Sequence, residues 1–385
     1  MKSNNPPDFY CECLPIAKVD ILGERITQFK LRFSSPISGM PLFNTNSIAI
    51  FLASENTDNQ WEKLSIAYIE QRNASAITVF IKQALNDSIT KTLKFDQVQF
   101  RQQRCHIQVK IKFKFQVKDI FHRVLKVMNL LPIQHIEIDK CQHSSFNDLD
   151  YNLYVPHKNN TNHPLIIYLH GAGEGGDNQS HLIADRAVAT FTDPAIQQFF
   201  DYPFILAPQC PDFWLKEFKL NGITYFGKQD YTATLIYLIK NIFLQHPQID
   251  KKRVYIIGAS MGGYQGLRLL AHSPDLFSAG IIACPAEIPS NELLDNLNNI
   301  PMWLLHSRKD EVVPVKNTEY IINYLTPKNP NLKYQFFSDI IIQNLNLDPH
   351  CVFLYLYENI PNINGISIFQ WLKQQIGKPN TRSIL

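Results

Sequence analysis

The chain has 385 residues, a formal net charge of +3, 45% hydrophobic residues and 18% charged residues. It is too long for one ordinary small domain, and its apolar share is enough for a sizeable core, which excludes wholesale disorder. A charge this close to balance gives no electrostatic case for nucleic acid or for an anionic membrane.

The amino terminus, Met1-Lys2-Ser3-Asn4-Asn5-Pro6-Pro7-Asp8, lacks the apolar centre of an export signal. No later run approaches the roughly 18 uninterrupted apolar residues of a membrane span. A soluble, cytoplasmic chain is expected, with a secreted mature form as the alternative. Seven cysteines (Cys11, Cys13, Cys105, Cys141, Cys210, Cys284, Cys351) are scattered, odd in number and free of CxxC or zinc spacing. Reduced thiols and no metal site follow as expectations.

Residues 1–118 read as a small all-β domain. Short runs at 29–33, 47–52 and 76–81 are rich in β-branched and aromatic residues, and Ser, Pro, Gly and Asn clusters separate them. From Ile107 to Val117 the alternation is strict, apolar on odd positions and Lys or Gln on even ones, so one face meets a core and the other meets water. Strands without intervening helices predict an antiparallel sandwich. The lysines fit a solvated face that discourages edge pairing better than a polyanion site. Residues 119–131 have helix-like spacing and, up to 135, are expected to link this domain to the rest of the chain.

From residue 136 to 385 strands and helices alternate. Strands are expected at 150–155, 165–169, 204–207, 254–257, 280–283, 302–305 and 333–337, and helices at 231–244, 263–271, 318–324 and 366–375. That order predicts an α/β fold with a mostly parallel sheet covered on both faces. The segment 338–349 is long and apolar (Ile340, Ile341, Ile342, Leu345, Leu347) and has no evident place.

Within this region Val254-Tyr255-Ile256-Ile257-Gly258-Ala259-Ser260-Met261-Gly262-Gly263-Tyr264 joins a buried strand to a helix through Gly-x-Ser-x-Gly. A strand that turns sharply into a helix holds Ser260 in a strained conformation and presents its hydroxyl above the sheet edge at a helix amino end. Gly258 and Gly262 are needed where a β-carbon would collide with neighbouring backbone. A serine nucleophile requires a base and an orienting acid, supplied later in the sequence. Asp310, just past the strand 302–305, is the candidate acid, with Glu311 as its nearest substitute. His350 is the one histidine beyond it and the candidate base. His306, at the strand end, is expected to support the acid loop.

An oxyanion hole needs backbone N–H groups aimed at developing charge. Met261 supplies one, and the turn His170-Gly171-Ala172-Gly173-Glu174-Gly175-Gly176 supplies a second, assigned to Ala172. Gly171, Gly173 and Gly176 also fit G-x-G-x-x-G, a dinucleotide-binding pattern. Against that reading, Asp177-Asn178-Gln179-Ser180 stands where a helix should begin, and no strand ending in an acid lies about 20 residues on.

Four motifs, His170-Gly171-Ala172-Gly173-Glu174, Ala207-Pro208-Gln209-Cys210-Pro211, Gly258 to Tyr264 and Asp310-Glu311-Val312-Val313-Pro314, occur in one order over residues 136–385. Together they resemble the α/β-hydrolase serine esterases related to polyhydroxybutyrate depolymerases and feruloyl esterases. The resemblance implies an α/β-hydrolase fold, preceded in some members by an immunoglobulin-like domain. It also implies carboxylic-ester hydrolysis through Ser260, His350 and Asp310, with Trp214 lining the acyl site; a packed aromatic is the other reading of Trp214. Where the family has His-Gly before the acid, this chain has His306-Ser307, and where the family has Gly-His at the base it has Pro349-His350.

The expected substrate is a small-molecule or carbohydrate-linked ester, without cofactor, metal, nucleic acid or membrane span. A serine peptidase of the same fold, a catalytically silent binding protein and a nucleotide-dependent enzyme are the alternatives. Sequence sets neither the oligomeric state nor the acyl and alcohol groups.

Overall fold

The computed structural model describes residues 8–39, 43–83, 88–158, 162–220 and 222–377. Residues 1–7, on which the export reading rests, lie outside them. The chain forms two compact units, Met1–Phe95 with Gln103–Asp139, and Asp96–Gln102 with Lys140–Leu385.

The first unit is all β. Tyr10–Asp20, Gly23–Phe33, Ala76–Ile81 and Ile66–Asn73 run antiparallel in one sheet, and Val127–Leu130 and Gln134–His135 pair in parallel with Tyr10–Asp20. A second sheet joins Glu62–Lys63, Ile48–Ala53 and Gln108–Phe113. Both sheets contribute to one core, Phe29, Leu31 and Phe33 from the first and Ile50 and Leu52 from the second. In Gln108–Phe113 exposed and half-buried residues alternate, with Lys110 and Lys112 outward and Val109, Ile111 and Phe113 on the core, as period-two burial requires.

Two expectations are corrected here. No helix links the domains over 119–135. Asp119 instead takes the backbone amides of Phe121 (3.0 Å) and Arg123 (2.8 Å) on its carboxylate, which closes a turn in place of a helical one. The chain then adds Val127–Leu130 to the sheet, so the unit runs to Asp139 rather than ending at 118.

The second unit is built on an eight-stranded sheet. Its strands are β1 (Gln142–Phe146), β2 (Leu149–Tyr154), β3 (His163–Leu169), β4 (Phe204–Gln209), β5 (Ile249–Ala259), β6 (Ala279–Ala283), β7 (Met302–Ser307) and β8 (Leu332–Phe337). Their spatial order is β1-β2-β4-β3-β5-β6-β7-β8, antiparallel for the first two pairings and parallel for the rest. All seven expected strands lie in this sheet, and β1 is additional. Every residue of β3 is buried, in keeping with its continuous apolar run in a parallel sheet covered on both faces.

The helices cover that sheet by apolar periodicity. In Thr232–Gln245 the buried residues Leu235, Leu238, Ile239, Ile242 and Phe243 recur every three or four positions, and burying each contributes about 1.5–3 kcal/mol. Register then positions the site. Leu169 pairs with Gly258, Ala259 with Ala283, and Ala283 with Leu305, so the segments leaving β3, β5, β6 and β7 emerge side by side at one carboxyl edge. The unplaced segment 338–349 forms a hairpin, Ile340–Ile342 against Leu345–Leu347, with Gln343 (φ 52°) and Asn344 (φ 64°) at its turn. Among the described residues no helix is long and apolar enough to cross a membrane.

Candidate active site

At the end of β5 the backbone reverses into the helix Met261–His272 through Ser260, whose φ of 55° and ψ of −119° are strained for a residue with a side chain. Three bonds hold it there: its amide donates to the Ala283 carbonyl (3.0 Å), while its carbonyl accepts from Ala286 (3.0 Å) and Tyr264 (3.1 Å). The elbow is possible only because its flanks lack side chains. A β-carbon on Gly258 would stand 2.3 Å from the Gly262 carbonyl oxygen, and one on Gly262 would stand 2.0 Å from that of Leu169. The amide of Met261 opens the helix, where no intrahelical carbonyl reaches it.

On the same edge, past β7, Asp310 accepts the backbone amides of Val312 (2.9 Å) and Val313 (2.8 Å) on one carboxylate oxygen. The other lies 2.8 Å from His350 Nδ1 and 3.2 Å from His306 Nε2. Burial alone would raise the pKa of Asp310, but the hydrogen bonds from His306 and His350, the His350 charge and the Val313 amide hold it well below the usual carboxylate range. His306 is fully buried, its Nδ1 2.7 Å from Thr318 Oγ1 and its Nε2 also 3.1 Å from the Val313 carbonyl. Both Nε2 neighbours are acceptors, so that nitrogen carries the hydrogen and the ring braces the acid loop.

His350 sits in a short turn, Pro349–Val352, whose start is capped by Asp348 accepting the His350 amide at 2.8 Å. Its side chain is 17% exposed, so one edge of the ring is open. Burial favours neutral imidazole, yet the facing Cys284 and Asp310 raise its proton affinity above the ordinary histidine value. Cys284, which comes directly after β6 with φ 37°, directs its thiol toward the His350 carbonyl oxygen at 3.7 Å. Ser260 bonds to Ala283 and Ala286 on either side of that cysteine, so Ser260 and His350 share Cys284 as a neighbour. No hydrogen bond joins the Ser260 hydroxyl to His350 among the described residues; such bonds commonly tighten only with substrate bound.

The turn after β3 is pinned from both sides. His170 donates from Nδ1 to the Gly171 carbonyl (2.7 Å) and accepts the Cys210 amide on Nε2 (2.9 Å). Burial pushes this imidazole down to about 4, so it is neutral at pH 7 and keeps that tautomer. Gly171 donates its own amide to Glu174 Oε2 (2.9 Å). A β-carbon on Gly171 would lie 4.0 Å from that of Ser260, which brings the Ala172 turn beside Ser260. Trp214 is 2% exposed, its indole N–H donates to the His170 carbonyl (3.0 Å), and its ring centre lies 5.0 Å from that of His170. The acyl-lining role implied for Trp214 gives way to its other reading, a packed aromatic behind the turn.

The dinucleotide alternative loses its physical basis here. Ala172–Glu174 is a single short 3₁₀ turn rather than the start of a helix, and the Gly171 amide is already taken by a carboxyl. Cys284, Asp310 and His350 bring one potential metal-ligating atom each within 4.8 Å of one another. The Asp310 to His350 hydrogen bond already occupies two of those three groups. All seven cysteines are free thiols. Sequence reasoning listed Cys284 only among the cysteines and assigned no role to Glu174, although Glu174 stands within the glycine-rich turn.

The fold defined by this sheet order and elbow is that of the α/β-hydrolases, carried together with an all-β domain. A phospholipase/carboxylesterase family model matches residues 225–341, a segment that contains Ser260 and Asp310 and ends before His350. Among solved structures, a thermostable esterase is similar over 94% of this chain and 99% of its own, with a TM-score of 0.76 and 22% identity. An S-formylglutathione hydrolase from Agrobacterium tumefaciens is similar over 62% of this chain and 95% of its own (TM-score 0.43, 13% identity). Thermogutta terrifontis esterase 2 is similar over 58% and 92% (TM-score 0.40, 14% identity). No curated protein matches the sequence.

Proposed function

We propose that the chain is a serine carboxylesterase that acts through a covalent acyl-enzyme. The observation that carries this reading is the Asp310 to His350 hydrogen bond of 2.8 Å at the sheet edge where Ser260 stands on its strained elbow. The carboxylesterase family match and the fold shared with an esterase support the same class.

In this mechanism Ser260 Oγ attacks the ester carbonyl while His350 Nε2 takes its proton, and Asp310 holds the Nδ1 hydrogen and stabilises the imidazolium. The Ala172 and Met261 amides receive the oxyanion, a contribution of about 10²–10³ in rate per donor. His350 then returns the proton to the departing alcohol, and an acyl ester remains on Ser260. Water attacks that ester with His350 again as base, which releases the acid and restores the serine. No step requires a metal or a cofactor.

The substrate in this reading is a small-molecule or carbohydrate-linked ester. A closer relation to polyhydroxybutyrate depolymerases and feruloyl esterases, with an immunoglobulin-like character for the amino-terminal sandwich, belongs to the same proposal. The test is turnover of a p-nitrophenyl ester series by the full chain beside Ser260→Ala and His350→Ala. Activity abolished by both substitutions supports the triad. Faster turnover of amides than of esters would replace it with a peptidase, and an inert parent would leave a silent binding protein.

A further inference from the structure

We infer that Glu174 is a positioning residue for the oxyanion turn, fixing the Gly171 peptide so that the next amide, Ala172, faces the developing charge; this rests on the ester-hydrolase reading above. The Gly171 amide donates to Glu174 Oε2 at 2.9 Å, and the Gly171 carbonyl accepts His170 Nδ1 at 2.7 Å. These two bonds fix successive peptide planes on either side of the Gly171 α-carbon, His170–Gly171 by its N–H and Gly171–Ala172 by its carbonyl, and the Ala172 N–H lies in the second plane, trans to that carbonyl. The backbone of Glu174 is anchored as well, its carbonyl accepting Gln209 Nε2 (2.8 Å) and Ser180 Oγ (3.2 Å). The turn also has no room to shift, because a β-carbon on Gly175 would lie 2.0 Å from the Asp212 carbonyl oxygen.

The carboxyl of Glu174 is itself held by a chain of buried groups. The hydroxyl of Tyr168, on β3, lies 3.2 Å from Glu174 Oε2 and 3.1 Å from Asp185 Oδ2. Asp185 accepts the Ala187 amide at 2.8 Å on its other oxygen. Tyr357, on the helix just past the His350 turn, packs its ring edge on Tyr168 with 6.5 Å between centroids and faces both acids. One phenol carries one hydrogen, so it donates fully to one acid at a time, and a proton on the other acid would complete the second contact. Neither acid has an ion-pair partner among the described residues: Arg186, next to Asp185, is 2.8 Å from Glu358. Desolvation followed by Asp185 holds Glu174 well above the ordinary carboxyl range, and desolvation moves Asp185 up to about 6, consistent with a proton shared by the pair. Two carboxyls set together without a cation, Asp185 buried and Glu174 half-buried, are costly for folding alone, and such pairs concentrate where geometry serves function.

The test compares Glu174→Ala and Glu174→Gln in the full chain. The readouts are ester kinetics, inhibition by a trifluoromethyl ketone that mimics the tetrahedral intermediate, and amide hydrogen exchange of the peptide spanning 170–175. Expected for Glu174→Ala is a fall in kcat of about 30- to 100-fold with KM within about twofold, and ketone affinity weakened in proportion. Exchange of that peptide should rise. The glutamine amide oxygen can still accept the Gly171 hydrogen, so Glu174→Gln should recover kcat to within about fivefold and restore slow exchange. Unchanged kcat, a loss confined to KM, or equal losses in both variants would overturn the role. If Glu174→Ala does not fold, Tyr168→Phe takes its place: faster exchange with lowered kcat supports the chain of bonds, and parental values refute it. A parent inert toward esters would sink the esterase reading instead. The exchange comparison would still decide whether Glu174 holds the turn.

Discussion

Ser260 and His350 reach the same sheet edge by opposite routes. The conformation of Ser260 is set locally, by Gly258 and Gly262 on either side and by the strand and helix they join. His350 lies in a turn of Pro349–Val352, after a hairpin that is tied to the helix Phe353–Tyr357 by Tyr355, whose ring packs on Phe337 at the end of β8 with 4.9 Å between centroids. That tyrosine's hydroxyl receives the Ile341 amide at 2.7 Å and donates to the Asp339 carbonyl at 3.1 Å. One end of the site is therefore specified by close backbone contact, and the other by contacts between residues distant in sequence. The first tolerates almost no change of residue, and the second can drift as long as the histidine returns to Asp310.

The largest effect expected is at Ser260. Ser260→Ala should lower kcat by about 10⁶ with no loss of thermal stability, since the strain at φ 55° is no worse for alanine. Steady-state ester kinetics and a melting curve check both parts. On the base side, Asp310→Asn should lower kcat by about 10⁴. The substitution also carries a pH signature. In the proposed mechanism only neutral His350 accepts the serine proton, and Cys284 and the Asp310 carboxylate both favour imidazolium, so the parent's rate should rise with pH through a raised value. Removing the charge should move that limb to lower pH, as a pH profile of kcat/KM would reveal.

Gly262→Ala tests the local end through stability. Its β-carbon would meet the Leu169 carbonyl at 2.0 Å, so a loss of about 3 kcal/mol or more is expected in denaturant titration. The smallest effect belongs to the hairpin. Gln343 occupies left-handed backbone at φ 52°, which asparagine adopts more readily, so Gln343→Asn should stabilise the chain by about 0.5 kcal/mol and leave ester kinetics unchanged. A large activity loss there would mean that the hairpin shapes the His350 turn more tightly than its place in the fold implies.

Legibility in the sequence divides along the same line. The strand, glycines and helix around Ser260 are short-range signals, and so is an acid placed just past β7. His350 stands out because it is the last histidine of the chain. The hairpin before it was not legible, because runs of three residues alternate too briefly: Ile340 and Ile342 are buried while Ile341 is 55% exposed. Its one local mark, Gln343-Asn344, is a weak form of the usual turn pair. The helix expected over 119–131 failed because apolar spacing was read without the Asp119 side chain, which competes for backbone amides. Glu174 and Asp185 lie eleven positions apart, and only the fold brings both onto the Tyr168 hydroxyl.

The most direct measurement is the mass of the full chain after exposure to a stoichiometric serine-directed organophosphate, combined with peptide mapping. The expected result is one adduct per chain, carried on Ser260 and formed much more slowly in His350→Ala. An unmodified Ser260 in a folded parent chain, or labelling indifferent to His350, would contradict the nucleophile and the base assigned here.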